Sequence, residues 1–488
     1  MTYKNDPMTS LKFILSSLLL ISCLGLSAVD VSITTLTFKQ DGPYLEIYSR
    51  VIGNSVQFVP AKLGSSDYKA NIEFLVVLKR QDELIAADKF IMASPLLKNP
   101  SDFWDLRRYP MEPGNYQLEL SYVDKNNISD TLNYKENIII DEESEGVTGS
   151  DLLLMSDISS EKEEYAFQKA GFSFEPPAYN MFGSKDEMLI FYTELYNIPQ
   201  DLETYYYSYV IRDNTSGEYM TKPGFKKLKT DNTQQIMENF SIADLASGNY
   251  ELEFEVKDKQ MTSHYKAVSH FAVHHPLVDY RSTITKDETY ETSFVQILSE
   301  GEVNYGLKAI FPRVTGDHSG LLAELIWDDD VEAKRYFLYN FWSQFSKENS
   351  SDIYNKYMSV AKAVDKRFYN NVGHGFETDR GYIFLKYGQP NDMVSVEDEP
   401  SAPPYEIWIY NELQETKQTN VKFLFYNPTI VTNDYVLLHS TCRGEINNPQ
   451  WEVKLYQDDR NAQIGNSIEA TQVQDGFNRN ARRYFTDF

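Results

Sequence analysis

Pro113-Gly114-Asn115-Tyr116-Gln117-Leu118-Glu119-Leu120 returns further along the chain as Ser247-Gly248-Asn249-Tyr250-Glu251-Leu252-Glu253-Phe254. In both copies a Gly-Asn turn launches a strand that alternates apolar and polar residues, as a hairpin in a β-sandwich does. Tyr44 to Tyr48 has a counterpart in Met188 to Tyr192, at a similar distance upstream. Two copies of one sandwich domain are therefore expected, at residues 29–142 and 183–277. Asp141 to Lys162 is rich in Asp, Glu, Ser and Gly and predicts a linker, placed at 143–182.

Helical periodicity is nearly absent from this region, and short β-branched and aromatic runs alternate with turn residues. Tyr44 to Tyr48 and Tyr116 to Leu120 carry the alternation expected of half-buried strands. Ile72 to Leu78 starts the same way and becomes a continuous apolar run, which predicts a strand buried on both faces. Tandem sandwiches serve as spacers or docking platforms, and their loops here carry no catalytic grouping.

The chain opens with Lys4 and Lys12 and then an apolar run from Phe13 to Leu26. At roughly 14 residues this run is shorter than the ~20 that span a bilayer as a helix. With the small residue Ala28 after it, the pattern predicts a secretory signal peptide over 1–28. Leu20-Ile21-Ser22-Cys23 also reads as a lipobox, which would acylate Cys23. Strand-like sequence begins near Val29 with no polar tether, which favours cleavage after Ala28. No other stretch is apolar enough to cross a bilayer. The expected compartment is the periplasm or the periplasmic face of the outer membrane, with membrane association only through an acylated Cys23 or a partner.

At 488 residues the chain suits about three domains. Lys plus Arg number 46 against 72 for Asp plus Glu, a net charge of −26, which repels phosphate backbones and excludes nucleic acid as an expected partner. The only cysteines are Cys23 and Cys442, so a disulfide framework is excluded. Cys442 closes the run Val436-Leu437-Leu438-His439-Ser440-Thr441, where a buried strand thiol is expected. His264, His270, His274 and His275 suggest a metal site. On a strand rising roughly 3.3 Å per residue, however, His264 and His270 lie about 20 Å apart, and adjacent residues face opposite ways. A helix would let His270 and His274 chelate together. No metal and no cofactor are expected.

Beyond residue 285 the period changes. Val331 to Ser346 places Phe337, Phe341 and Phe345 on one side of a helix behind Asp328-Asp329-Asp330, and a second helix is expected from Asp352 to about Phe368. Strands are expected at Tyr382 to Tyr387, Tyr405 to Tyr410, Val421 to Phe425 and Tyr435 to Leu438. The fold class is thus two tandem all-β sandwich domains followed by an α+β domain, helices then antiparallel sheet, over 285–456, with a tail at 457–488.

Gly375-Phe376-Glu377-Thr378-Asp379-Arg380-Gly381, followed by Tyr382-Ile383-Phe384-Leu385-Lys386-Tyr387-Gly388-Gln389-Pro390, resembles the core of the GWxTD-domain family. Phe341-Trp342, Tyr405-Glu406-Ile407-Trp408, His439-Ser440-Thr441 and Arg443-Gly444-Glu445 extend the resemblance. The motif tryptophan is Phe376 here, so an aromatic is kept and an indole N–H is lost. The resemblance implies an exported protein of Bacteroidota or a related phylum and names no reaction.

Read physically, Thr378 and Asp379 suit a cap or turn, Gly381 suits positive φ, and Arg380 suits a fork-type ion pair with Glu406 or Glu445. That makes a polar knot fixing helices to sheet. The catalytic alternative gathers Glu377, Asp379, Glu406 and Glu445, with His374 and His439, as general acid and base on a glycan. Ser440 beside His439 makes a weaker nucleophile pair, since neighbours on a strand diverge. The tail ends in a basic, aromatic run, Phe477 to Phe485, which is either a disordered terminus or a docking peptide. The expected role is a non-enzymatic assembly component of a bacterial cell-envelope complex with protein partners. The alternative, prompted by 35 tyrosines and the acidic motif, is a carbohydrate-binding or glycan-cleaving protein.

Overall fold

A strand that alternates needs a second layer to cover its apolar face. In the computed structural model each copy of the repeat has one. Residues 29–487 are described, apart from 63–66, 128–130, 143–145, 162–166, 200–204, 223, 230–232, 287, 347–348, 400–401, 431–432 and 457–478. The expected signal peptide, Cys23 and most of the tail lie outside the described residues. The chain divides between Val278 and Asp279 into two compact units.

The first sandwich of the N-terminal unit consists of β1 (Val31–Lys39), β2 (Pro43–Val51), β3 (Asn71–Arg80), β4 (Glu83–Ala93), β5 (Phe103–Pro110), β6 (Gly114–Asp124) and β7 (Leu132–Ile140). One antiparallel sheet runs β1-β2-β5 and the other β4-β3-β6-β7. Leu45 and Ile47 from β2 meet Val76, Leu78, Tyr116, Leu118 and Leu120 in the core between them. The second sandwich uses β8 (Leu153–Met155), β9 (Met188–Tyr196), β10 (Tyr206–Asp213), β11 (Gln234–Ser241), β12 (Gly248–Lys257) and β13 (Ser263–Val273). Strand β9 pairs with β8 and β11, while β13, β12 and β10 lie side by side in the other sheet. Leu189, Phe191 and Leu195 pack against Ile211, Leu252, Phe254 and Phe271.

The repeat is geometric as well as textual. Tyr44 stands opposite Pro110 as Met188 stands opposite Ser241. Just beyond these pairs, the Met111 amide donates to the Pro43 carbonyl and the Ile242 amide to the Glu187 carbonyl. Tyr116 donates its hydroxyl to the Glu112 carbonyl at 2.9 Å, and Tyr250 to the Ala246 carbonyl at 2.8 Å, so both copies tie the Gly-Asn turn with the same tyrosine corner.

Three expectations for this unit are corrected. Ile72 to Leu78 is covered on one face only, because Leu75 is 38% exposed on an outer face laced by Lys89–Glu73 and Lys79–Glu119 pairs. Tyr44 to Tyr48 is the segment covered on both faces. Its even positions look outward from their own sandwich and are covered by the second one, where Phe38 and Tyr48 join Leu153, Met155, Ile190 and Tyr192. The stretch expected as a linker supplies β8 and the pairs formed by Phe172–Phe174 with Ile158–Ser159 and Phe167–Lys169. Its run Leu152 to Met155 is buried, so hydrophobic burial overrides the polar character of its flanks.

After short helical turns, the C-terminal unit builds its helical layer from α1 (Glu300–Ile310), α2 (Asp317–Trp327), α3 (Val331–Ser343), α4 (Ser350–Phe368) and α5 (Asp379–Tyr387). The sheet β14 (Asp392–Val396), β15 (Tyr405–Leu413), β16 (Gln418–Tyr426) and β17 (Val436–Ser440) follows in that order, antiparallel throughout. Asp330 caps α3 by accepting from the Glu332 and Ala333 amides, which accounts for the acidic run before it. Tyr382 to Tyr387 is helix, not the expected strand. One sheet face meets Phe368 and Phe384 through Trp408. The other is covered by the short helices α6 (Trp451–Leu455) and α7 (Ala481–Asp487), through Trp451, Leu455 and Phe485. The end of the tail is therefore docked. Lys422 donates to the Phe485 carbonyl at 2.6 Å, a cation placed at a helix C-terminus. No described helix is long and apolar enough to cross a membrane.

Candidate functional site

The motif folds as a tight 3-10 turn, Gly375–Glu377, that runs directly into α5. Thr378 is the N-cap: its hydroxyl accepts from the Gly381 amide at 3.2 Å and donates to the Gly375 carbonyl at 2.7 Å. The helix lies so close to the turn that a Cβ on Gly381 would meet the Gly375 carbonyl oxygen at 2.0 Å. A Cβ on Gly375 would meet the Asp365 carbonyl oxygen at 2.1 Å, against α4. Gly381 is therefore required for proximity; the expected positive φ is found at Gly388, which ends the helix at φ 84°. Phe376 is buried, edge-on to Tyr305 with ring centroids 5.2 Å apart and stacked on His374, so the aromatic at this position packs three segments together.

Asp379 accepts from the Leu437 amide at 2.6 Å, tying α5 to β17. Arg380 is 4% exposed, with its guanidinium 4.0 Å from the Tyr435 ring centroid. It donates to Glu406 Oε1 at 2.8 Å and to Asn433 Oδ1 at 3.0 Å. Trp408 Nε1 donates to the other oxygen, Glu406 Oε2, at 3.0 Å. The pair with Glu406 is thus single-pronged, and Glu406 is shared between helix and sheet. Burial pulls the Arg380 pKa below its ordinary value, and Glu406 opposes that shift.

The remaining carboxylates are held separately. Glu377 accepts from the His374 amide at 2.7 Å and pairs with Lys308 at 3.1 Å. Glu445 does not reach Arg380; it pairs with Lys386 at 2.7 Å and accepts from Tyr387 at 2.8 Å. The His374 ring lies 3.2 Å from Asp365, which also accepts from Tyr305. Among the described residues, two cavities in the helical layer of this unit are lined by none of Glu377, Asp379, Glu406 and Glu445.

His439 and Ser440 diverge. His439 Nδ1 accepts from the Asn448 amide at 3.0 Å with its ring stacked on Trp451, whereas Ser440 Oγ accepts from the Cys442 amide at 3.2 Å. Thr441 Oγ1 accepts from the Lys422 amide, the Arg443 amide bonds Gln418, and Gly444 turns the chain at φ 85°. The Cys442 thiol is buried beside Tyr387, and burial raises its pKa. Tyr405 donates to Glu399 at 2.6 Å, and Pro390 follows the helix stop at Gly388. Phe341 and Trp342 stand at the far end of α3, with the Trp342 ring 5.2 Å from Tyr357.

Elsewhere, His264 and His270 lie on β13 beside Asp258 and Glu251, at 2.9 and 3.7 Å, and His275 bonds two backbone carbonyls. No group of three or more metal-ligating side chains occurs among the described residues. The sequence reading missed Glu46, which is fully buried yet accepts from Tyr48, Arg108 and Lys169 at 2.6, 2.9 and 2.9 Å. Burial alone would raise its pKa, but Lys169 and these hydrogen bonds hold it below the ordinary carboxylate value. Its position in an alternating strand mimics a solvated one; only the pairing of sandwiches buries it.

Residues 328–453 match the GWxTD domain. No curated protein matches the chain. Among solved structures, red sea bream transglutaminase aligns at 11% identity over 50% of this chain and 31% of that one, with a TM-score of 0.15. Bacteroides uniformis β-glucuronidase aligns at 10% identity over 46% and 26%, with a TM-score of 0.19. The fibronectin(III)-like modules of Clostridium thermocellum CbhA align at 12% over 50% and 94%, with a TM-score of 0.14. The chain thus spans about a third or less of the two enzymes, and scores this low establish no shared fold. The motif, its surrounding residues and the family match agree on one statement: this chain carries a GWxTD domain.

Proposed function

We propose that this chain is an exported, non-enzymatic component of a bacterial cell-envelope assembly, of the Bacteroidota type, with the sandwiches as spacers and the GWxTD domain as docking module. The observation that carries the reading is the use made of the motif. Thr378 caps, Asp379 and Arg380 tie helix to sheet, and Glu377, Glu406 and Glu445 each have their own partner. A general acid and base would instead face one another across a cleft that admits substrate. The signal-peptide pattern of 1–28 supports export to the periplasm, and Cys23 offers a lipid anchor if processing occurs there instead of after Ala28. The test is affinity capture of the C-terminally tagged chain from gently solubilised envelopes, with N-terminal sequencing of the product. The expected result is a stoichiometric envelope protein other than the chain itself, on a mature product starting near Val29 or at an acylated Cys23. A chain that keeps the Phe13 to Leu26 run and elutes alone overturns the reading.

A further inference from the structure

Trp327 is the last residue of α2 and is 84% exposed, an unusual position for the largest apolar side chain. The Lys308 ammonium lies 5.9 Å from its ring centroid. Asp328, Asp329 and Asp330 follow it; Arg281 holds Asp328 at 2.8 Å and Asp330 at 3.2 Å, and Asp329 is exposed. The result is a protruding indole with a carboxylate beside it.

A complementary surface stands at the other end of the next helix. Helix α3 has 13 residues and so is about 20 Å long. At its C-terminal end, Phe341, Trp342 and Phe345 combine with Ile353, Tyr357 and Val360 to line an open groove of 400 Å³. Phe345 is 53% exposed and Val360 45%, so the groove is apolar and uncovered among the described residues. Its rim carries two cations, Arg313 and Lys356. Arg313 pairs with Glu415 at 3.3 Å, and Lys356 has no ion-pair partner among the described residues. In a chain of net charge −26, a cationic, aromatic-lined groove selects an apolar group that carries negative charge.

We infer that this groove receives Trp327 of a second copy of the chain, with Asp329 of that copy meeting Lys356 and Arg313. Each copy carries both halves of the contact, the indole anchor and the pocket for it. Buried aromatic anchors of this type dominate interface energetics, while the charges set orientation and exclude wrong partners. The inference adds to the envelope-assembly reading without resting on it, since it concerns only the C-terminal unit and the purified chain.

Sedimentation of the purified mature chain over a concentration series tests it. Self-association is expected, and Trp327→Ala and Phe345→Glu are each expected to weaken it by roughly thirtyfold or more, as truncation of an aromatic hot spot does. Both positions are exposed, so unchanged circular dichroism and melting temperature are expected to accompany the loss. Mixing the two variants is expected to restore a 1:1 complex, because Trp327→Ala keeps the groove and Phe345→Glu keeps the indole. Asp329→Lys should weaken association, and adding Lys356→Asp in the same chain should recover it. A wild-type chain that stays monomeric at all concentrations, Trp327→Ala associating like wild type, or a mixture that fails to pair would each overturn the inference. Envelope capture can succeed or fail independently of these outcomes.

Discussion

Gly381 and Gly388 mark the two ends of one helix and are glycine for different physical reasons. At Gly381 the obstacle is backbone: a methyl group would sit 2.0 Å from a carbonyl oxygen that cannot move without opening the motif. At Gly388 space is open, and only the positive φ disfavours a side chain. Gly381→Ala should therefore cost about 3 kcal/mol, as overpacking does, and Gly388→Ala about 1 kcal/mol. Urea unfolding of the C-terminal unit checks the order, which reverses if conformation outweighs contact. Arg380 makes a sharper case. Arg380→Ala leaves the Glu406 carboxylate, 12% exposed, with only Trp408 as donor and should cost about 3 kcal/mol. Adding Glu406→Leu should recover part of that loss in a double-mutant cycle, since the stranded charge goes too. The Arg380–Glu406 pair was legible in the sequence as one of two choices. Its single-pronged geometry was not, because Asn433, 53 residues along the chain, takes the second guanidinium nitrogen, and Trp408, two residues along the same strand, takes the second carboxylate oxygen.

At the scale of elements, legibility followed the source of burial. Helix α4 was readable because it buries one stripe, and the repeat because both copies alternate over a single core. Helix α3 was readable as a helix but not in its face, since Leu338 and Trp342, not Phe341 and Phe345, join Phe337 in its buried stripe. Tyr382 to Tyr387 misled: an aromatic, β-branched run has strand character, but Thr378 caps it and Gly388 stops it, so it completes a helix of 9 residues. The swap between Tyr44–Tyr48 and Ile72–Leu78 has one cause: which outer face the neighbouring sandwich covers is a tertiary fact. Docking of α7 adds a pH dependence. The buried His439 ring contacts Phe485, Trp451 and the Asn448 amide, with Lys422 close by at the end of α7. Burial lowers its pKa, so the folded protein resists a proton that the unfolded chain accepts near pH 6.5. Stability from this group is complete above that pH and falls as the pH drops through it, levelling off once folded His439 is protonated. Hydrogen exchange of 481–487, corrected for intrinsic rates, should therefore quicken at pH 5 relative to pH 7. His439→Phe should flatten that difference; an equal difference in the variant would assign it elsewhere.

For the whole molecule, the expected order of two sandwiches followed by helices and an antiparallel sheet was readable from composition and period. The buried Glu46–Lys169 pair was hidden because its partners are 123 residues apart in sequence. That pair lies between sandwiches that also share an apolar seam, so the N-terminal unit is expected to melt as one body. Calorimetry of the Glu46→Ala variant should show this transition lowered, by about 3 kcal/mol or more, with the C-terminal transition unmoved. The reading of the GWxTD motif as a knot that shapes a docking module, and not as a reaction centre, is tested most directly by the double substitution Glu377→Ala with Asp379→Ala. Its melting temperature, its capture of envelope partners and its action on cell-wall and capsular glycans should be measured on one preparation. The knot reading predicts a C-terminal unit destabilised by about 2 kcal/mol, partner capture kept below the lowered melting point, and no glycan turnover by either protein. Full stability, together with the loss of a glycan turnover that the wild-type chain performs, would contradict it.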